Sequence, residues 1–236
     1  MRELSISMRN NFDSSARMDI HNMSLVHKTD PNFFALEGVD YSGKSTMIAE
    51  VAKRLKEQGY RVITTREPGG TLWAEKAREI AIHDESSTLA KLLMIHSGRE
   101  DHINTLIVPA LEAKTIVLSD RFSLSTFSYQ RTGDDLHKDD FNASVTRNLE
   151  SYWVRPNYIY VDISEKLWLQ RLEEIGTTDA LESESVDVYR FRRNTYIDEF
   201  NKNYGGLFLT TKEEADYEAR IKAVVDFIKV TNTQND

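Results

Sequence analysis

Cysteine is absent from this 236-residue chain, which excludes disulfides and any cysteine-ligated zinc. That composition fits a reducing compartment, and a cytoplasmic location is the expectation. No apolar run approaches the ~18 residues of a membrane-spanning helix, so no membrane contact is expected. Residues 1–31, MRELSISMRNNFDSSARMDIHNMSLVHKTDP, lack the apolar core of a secretory signal. They are rich in Ser, Asn, Arg and Met, and a disordered or loosely docked tail is expected there. Net positive charge is lacking as well. With 30 Lys and Arg against 38 Asp and Glu, the formal charge is −8. This argues against a broad nucleic-acid surface, which is usually basic, but a local cluster of donors can still hold a small anion. Repeats, low-complexity tracts and interdomain linkers are missing too. One domain from 32 to 236 is the simplest organisation at this length.

What is present is alternation. FFALE, YRVITT, TIVLSD, YIYVDI and LFLTT read as five short strands. Between them lie segments with helical spacing, such as Met47, Ile48, Val51, Ala52 and Leu55, closed by Gly59. Ser164 stands where it caps the helix EKLWLQRLEEI. STLAKLLMIHSGREDHINTLIVPALEA reads as one long helix or two. Strands alternating with helices imply a five-stranded parallel sheet with helices on both faces, a three-layer α/β fold.

Between the first strand and first helix stand Gly38, Val39, Asp40, Tyr41, Ser42, Gly43, Lys44, Ser45 and Thr46. They satisfy G-x-x-x-x-G-K-[ST] in the strand–helix setting that a phosphate cradle needs. The two glycines let backbone N–H groups converge on one anion, and the helix N-terminus adds partial positive charge. Lys44 is then placed to reach terminal phosphates and Ser45 to hold Mg²⁺. No separate guanine-reading N-K-x-D is present, and a motor normally needs more chain or an oligomeric partner. The second substrate has to be read elsewhere.

TTREPGGTLWAEKAREI, then SGREDHINTLIVPAL, IVLSDRFSLSTFSYQ, PNYIYVDIS and DALESESVDVYRFRRNTY, in that order, resemble the thymidylate kinase family of P-loop nucleoside monophosphate kinases. The likeness runs from about residue 33 to 230. It implies transfer of the ATP γ-phosphate to the 5′-phosphate of dTMP, a magnesium ion at Ser45 and Asp120, a short lid over about residues 173–186, and a homodimer. By the same resemblance, Arg66 grips the acceptor phosphate in a loop shaped by Pro68. Asp40 contacts the deoxyribose and lies near the reacting phosphates, and Arg121 bridges donor and acceptor. Arg99 meets thymine O4. Ser125, Thr126, Tyr129 and Gln130 line the acceptor site, with Thr126 beside the base and Tyr129 crowding the 2′ position. SLSTFSYQ equally fits ordinary helix packing, and Asp120–Arg121 equally fits a structural pair.

Two departures stand out. The family usually supplies a catalytic arginine from the loop position held here by Tyr41, or from a D-R-x-E lid segment that here reads Asp179-Ala180-Leu181-Glu182. Both positions lack it. Arg171, Arg190, Arg192 and Arg193 are the candidates to replace it, with Arg193 ranked first by alignment. Tyr41 itself fits three roles: a ring packed over nucleotide, a single hydroxyl donor, or an aromatic in a tolerant slot. Where the family stacks phenylalanine on thymine, this chain has Ile95. A looser pocket would admit dUMP or a 5-modified dUMP. A nucleotide-binding regulatory protein of weak activity is the alternative of another class.

Overall fold

Phe33, Phe34, Ala35 and Leu36 are all fully buried, as an unbroken apolar run requires when both faces of a strand are covered. They belong to β1 (Thr29–Glu37), the centre of a five-stranded sheet. Around it stand β2 (Val62–Arg66), β3 (Ile116–Asp120), β4 (Arg155–Ile163) and β5 (Leu207–Thr211), in the order β2-β3-β1-β4-β5. Every pairing is parallel. The computed structural model describes residues 29–130, 136–175, 185–211 and 216–233. The sequence-expected tail therefore lies outside the described residues up to 28. Thr29, Asp30 and Pro31, assigned to the tail by the sequence, are strand residues. Most of the expected lid, including Asp179 to Glu182, is also outside the described residues.

Side chains alternate along each strand, and the core divides accordingly. On one face Phe34, Leu36, Leu118, Ile159 and Val161 pack with Met47, Ile48, Val51 and Leu55 of α1 (Lys44–Glu57) and with Ile221, Val224 and Ile228 of α9 (Tyr217–Thr233). On the other face Phe33, Ala35, Val117, Tyr158 and Tyr160 meet Phe122, Trp168, Tyr189 and Tyr196. These come from the segment after β3, from α7 (Glu165–Ile175) and from α8 (Val186–Glu199). The three layers expected from the sequence are thus present.

The remaining helices are α2 (Leu72–His83), α3 (Thr88–His102), α4 (Val108–Glu112), α5 (Ser123–Tyr129) and α6 (Leu136–Glu150). A π-helical stretch, Ile103–Ile107, joins α3 to α4, so 88–112 is one helical run with a widened turn. The cause is local. Pro109 has no N–H to continue the ladder, and Asn104 and Thr105 turn their side chains back onto the carbonyls of Glu100 and Asp101 at 2.9 and 2.7 Å. Ser164 caps α7 as expected, its hydroxyl accepting from Leu167 N at 3.4 Å.

Candidate active site

The carboxyl ends of β1 and β3 deliver the site, where an open parallel sheet places its ligands. Gly38 leaves β1 with φ 147°, and a Cβ there would lie 2.5 Å from the Val161 carbonyl oxygen; only glycine lets the chain turn against β4. Gly43, with φ 93°, caps α1. Tyr41 adopts φ 63° and Arg121 φ 72°. Neither is glycine, and such strain is typically held where function over-determines it.

Lys44 is buried across the loop, donating to the Val39 carbonyl at 2.7 Å and to Ser42 Oγ at 3.2 Å. Burial pushes its ammonium down to about 7, and Arg121 pushes the same way. A polyphosphate beside it reverses that balance by favouring the charged form. The Ser45 hydroxyl donates to Asp120 Oδ2 at 2.5 Å. The two oxygens expected to hold magnesium are therefore side by side. Magnesium needs only one or two protein oxygens beside substrate phosphates and water, so this pair suits it. Thr46 is exposed; Tyr41 packs against the core cluster, and its carbonyl accepts from Arg171 at 2.7 Å.

Arg121 is the hub. Nη1 donates to the Gly38 carbonyl at 2.8 Å, to Tyr196 OH at 2.7 Å and to Ser125 Oγ at 3.2 Å. Nη2 donates to Tyr129 OH at 2.9 Å and to Asp40 Oδ1. Tyr129 in turn donates to Asp40 Oδ2 at 2.7 Å. Burial alone would raise the Asp40 carboxyl, but the charges of Arg121 and Lys44 and the hydrogen bonds from Tyr129 and Arg121 outweigh it and hold it below its usual range.

A cavity of about 240 Å³ opens beside this hub, lined by Asp40, Glu67, Pro68, Arg78, Ala81, Ile82, Ile95, Arg99, Arg121, Phe122, Ser125, Thr126, Tyr129 and Gln130. A second, of about 260 Å³, is lined by Asp40, Tyr41, Gly43, Lys44, Ser45, Thr46, Asp120 and Arg121. Asp40 and Arg121 belong to both. A third, of about 420 Å³, continues from the loop past Tyr41, Gly43 and Thr46 to Arg171, Tyr217 and Arg220. The space at the loop thus joins a larger donor-side space to a mixed polar and apolar pocket, with a carboxylate and a guanidinium at the junction.

Arg99 is buried and clamped. Nε donates to Glu67 Oε2 at 2.5 Å, Nη1 to His96 Nδ1 at 3.3 Å, and Nη2 to Phe122 O at 3.3 Å and Thr126 Oγ1 at 3.0 Å. Burial opposes its charge, but Glu67 more than compensates and raises it. Among the described residues, four of its five N–H groups have protein acceptors and one on Nη1 remains. Glu67 also meets His102 Nδ1 at 3.0 Å. The loop above closes on that imidazole: a Cβ on Gly70 would lie 2.5 Å from His102 Nε2.

Arg66 and Arg193 stand apart from these cavities. Arg66 is 57% exposed and pairs with Glu75 through Nη2 at 2.9 Å. Arg193 lays both donors of its fork on Asp162, at 2.7 and 2.8 Å. Three residues that sequence reasoning did not single out lie at the site. Arg78 lines the first cavity and donates to Pro68 O at 3.0 Å; it lies one helical turn beyond Glu75, the partner of Arg66, so α2 periodicity could have pointed to it. Glu37 ends β1 and accepts from Phe122 N at 2.7 Å, Ser125 N at 3.2 Å and Ser125 Oγ at 2.6 Å. It seats α5, and burial pushes its carboxyl up to about 7. Tyr196 arrives from α8, and nothing in the local sequence announces it.

A P-loop at the end of the central strand, opposite a second pocket across a shared arginine and aspartate, defines a phosphotransferase of the nucleoside monophosphate kinase class. The family model for thymidylate kinase matches residues 36–224. The chain is 37% identical over 170 residues to the thymidylate kinase of Francisella tularensis subsp. novicida (strain U112), covering 70% of this chain and 81% of that protein. It is 47% identical over 104 residues to that of Neorickettsia sennetsu (strain ATCC VR-367 / Miyayama), covering 44% of this chain and 52% of that one. The crystal structure of thymidylate kinase from Ehrlichia chaffeensis is similar with a TM-score of 0.61 and 28% identity, over 82% of this chain and 96% of that chain. The chain belongs to the thymidylate kinase family.

Proposed function

We propose that the chain phosphorylates dTMP to dTDP with ATP as donor, and that the shared lining of the two cavities by Asp40 and Arg121 is where the phosphates meet. The carrying observation is that junction. Phosphoryl transfer asks little covalent help from the protein, only two polyanions held in line with their charge neutralised. The loop from Gly38 to Thr46 and Lys44 hold the triphosphate. Its adenosine extends past Arg171 toward Tyr217. Arg121 and Arg66 orient the acceptor phosphate, Arg66 after exchanging Glu75 for it. Asp40, fixed between Arg121 and Tyr129, faces the deoxyribose. Ser45 and Asp120 would hold magnesium, which offsets phosphate charge when bound. The remaining Nη1 donor of Arg99 suits a carbonyl at the base 4-position, whereas an amino group there would leave it facing another donor.

A cytoplasmic location and a homodimer complete the reading. Leu72, Trp73, Ile80 and Leu93 of α2 and α3 are 44–79% exposed, an apolar surface suited to a second copy. Among the described residues no helix is long and apolar enough to cross a membrane.

Purified protein with ATP and Mg²⁺, offered dTMP, dUMP, dCMP and dGMP, tests the reading. dTDP is expected to form fastest, with dCMP disfavoured by roughly 100-fold or more because a buried donor loses its acceptor. dUMP outrunning dTMP would shift the substrate, in line with Ile95 at the pocket wall. dTMP bound without product would contradict the kinase reading.

A further inference from the structure

One face of β1 ends in a carboxylate. Phe33, Ala35 and Glu37 alternate onto the same side of the sheet, and all three are fully buried. A carboxylate taken out of water needs hydrogen-bond donors in its place, and the two oxygens of Glu37 find different ones. Oε1 accepts from the Phe122 and Ser125 N–H groups at 2.7 and 3.2 Å, which seats α5. Oε2 accepts from the Ser125 hydroxyl at 2.6 Å. The first oxygen suffices to hold the helix; the second acts on Ser125 alone.

A serine hydroxyl has one proton and two lone pairs. With its proton given to Glu37, Ser125 Oγ has both lone pairs to offer, and two donors meet them: the Tyr196 hydroxyl at 2.7 Å and Arg121 Nη1 at 3.2 Å. The Tyr196 oxygen in turn accepts from the same Nη1 at 2.7 Å. Every proton of the chain thus runs toward Glu37, and both hydroxyl oxygens are acceptors for Arg121. A neutral group at Oε2, whether carboxylic acid or amide, puts a donor there instead. It takes one Ser125 lone pair, the Ser125 proton turns onto Tyr196, and the Tyr196 proton is left buried beside a guanidinium. The cations that face Glu37 are Arg121 and Lys44. Tyr158 and Tyr160 of β4 and Tyr196 of α8 face it too, each held above the usual phenol range by burial. Burial outweighs the groups that favour its charge and brings the carboxyl up to about 7.

We propose that Glu37 is a positioning residue for phosphoryl transfer: its carboxylate sets the direction of the Ser125–Tyr196 hydrogen bonds and so aims the Arg121 fork at the junction of the two cavities. The inference rests on the kinase function proposed above. Glu37 acts through Arg121 and gains or loses no atom in the reaction. The ionised carboxylate is the working form. Because its ionisation is displaced upward to about 7, the rate is full above that pH and is lost as pH falls through it.

The experiment compares wild type with Glu37→Gln by steady-state kinetics with ATP, Mg²⁺ and dTMP across pH from about 5.5 to 9, with a thermal melt of each. Glutamine keeps an acceptor for the Phe122 and Ser125 N–H groups, so melting should stay within a few degrees of wild type. Above the acid limb its kcat is expected to fall about 10- to 100-fold, with KM for ATP within about threefold. Wild-type kcat should drop on the acid side with a midpoint near 7, and the variant should lack that limb. Ionisation of the acceptor phosphate, near 6, remains in both. A role limited to seating α5 predicts instead a glutamine variant within about threefold of wild type and with the same pH profile. That outcome, or a slow variant that keeps the limb near 7, overturns the inference. If the glutamine variant fails to fold, Ser125→Ala decides: it breaks the chain while leaving Glu37 its two backbone donors, and a limb near 7 that survives in it is the contradicting result. Wild type that makes no dTDP overturns the function beneath it as well; active wild type with an unimpaired glutamine variant overturns this inference alone.

Discussion

Lys44→Met abolishes phosphoryl transfer while the fold survives. Lys44 is the only lysine lining the cavity at the loop among the described residues, and an incoming triphosphate has Gly43, Ser45 and this ammonium to meet. Removing one preorganised donor to a developing charge typically costs 10²–10³ in rate, so kcat should fall by at least about that factor. Stability follows the opposite logic. Burial already disfavours the Lys44 charge, holding it to about 7. Methionine fills similar space and leaves only the Val39 carbonyl and Ser42 hydroxyl to find new partners. A melt within a few degrees of wild type is expected, about 1–2 kcal/mol at most. Normal turnover by the variant would remove the phosphate cradle from the account.

Arg121→Met damages both quantities. Its guanidinium satisfies the Gly38 carbonyl, Asp40, Ser125, Tyr129 and Tyr196 at once, and burial has been overcome by those partners to hold it charged. Truncation leaves the Gly38 carbonyl short of a donor and Asp40, whose side chain is 42% exposed, to water, the kind of loss that costs about 1–3 kcal/mol. In a chain of this size that corresponds to a melting decrease of about 5 °C. Activity, measured where the variant is still folded, should fall by at least about 10²-fold. Arg121→Lys should recover part of the stability and little of the rate, because one ammonium cannot serve the loop carbonyl, the carboxylate and two tyrosines in a planar fork. A lysine variant with wild-type kcat would show that the fork geometry is dispensable.

How much of this was legible depended on how far apart the partners lie in the chain. The loop from Gly38 to Thr46 does its work through consecutive residues, and the Arg66–Thr71 motif and the Asp120–Arg121 pair are contiguous too, so local pattern sufficed for them. The sheet followed from apolar runs such as Phe33 to Leu36. The start of β1 carries no such signal: Thr29 pairs with Arg155 across an irregular register that resumes only at Phe34, and no apolar periodicity marks it. The site's wiring was less visible. Arg121 reaches Tyr196 across 75 residues, and Glu37 seats α5 across 85. A single helical step, about 100° of rotation, sends Arg193 to Asp162 and Arg192 to Tyr129. Neighbouring arginines of the same type cannot be told apart until the helix is docked. The motif implies an acceptor grip for Arg66, and the structure adds Glu75 as its present partner, a contact set by the turn of α2.

A crystal structure of the protein with ADP and dTMP bound together measures the central claim. The account predicts the ADP phosphates within the turn from Gly38 to Ser45 and the dTMP phosphate against Arg121, with Asp40 at the sugar and Arg99 at the base. A thymidine nucleotide seated outside the cavity that Asp40 and Arg121 close, or a diphosphate held away from Lys44, would contradict it.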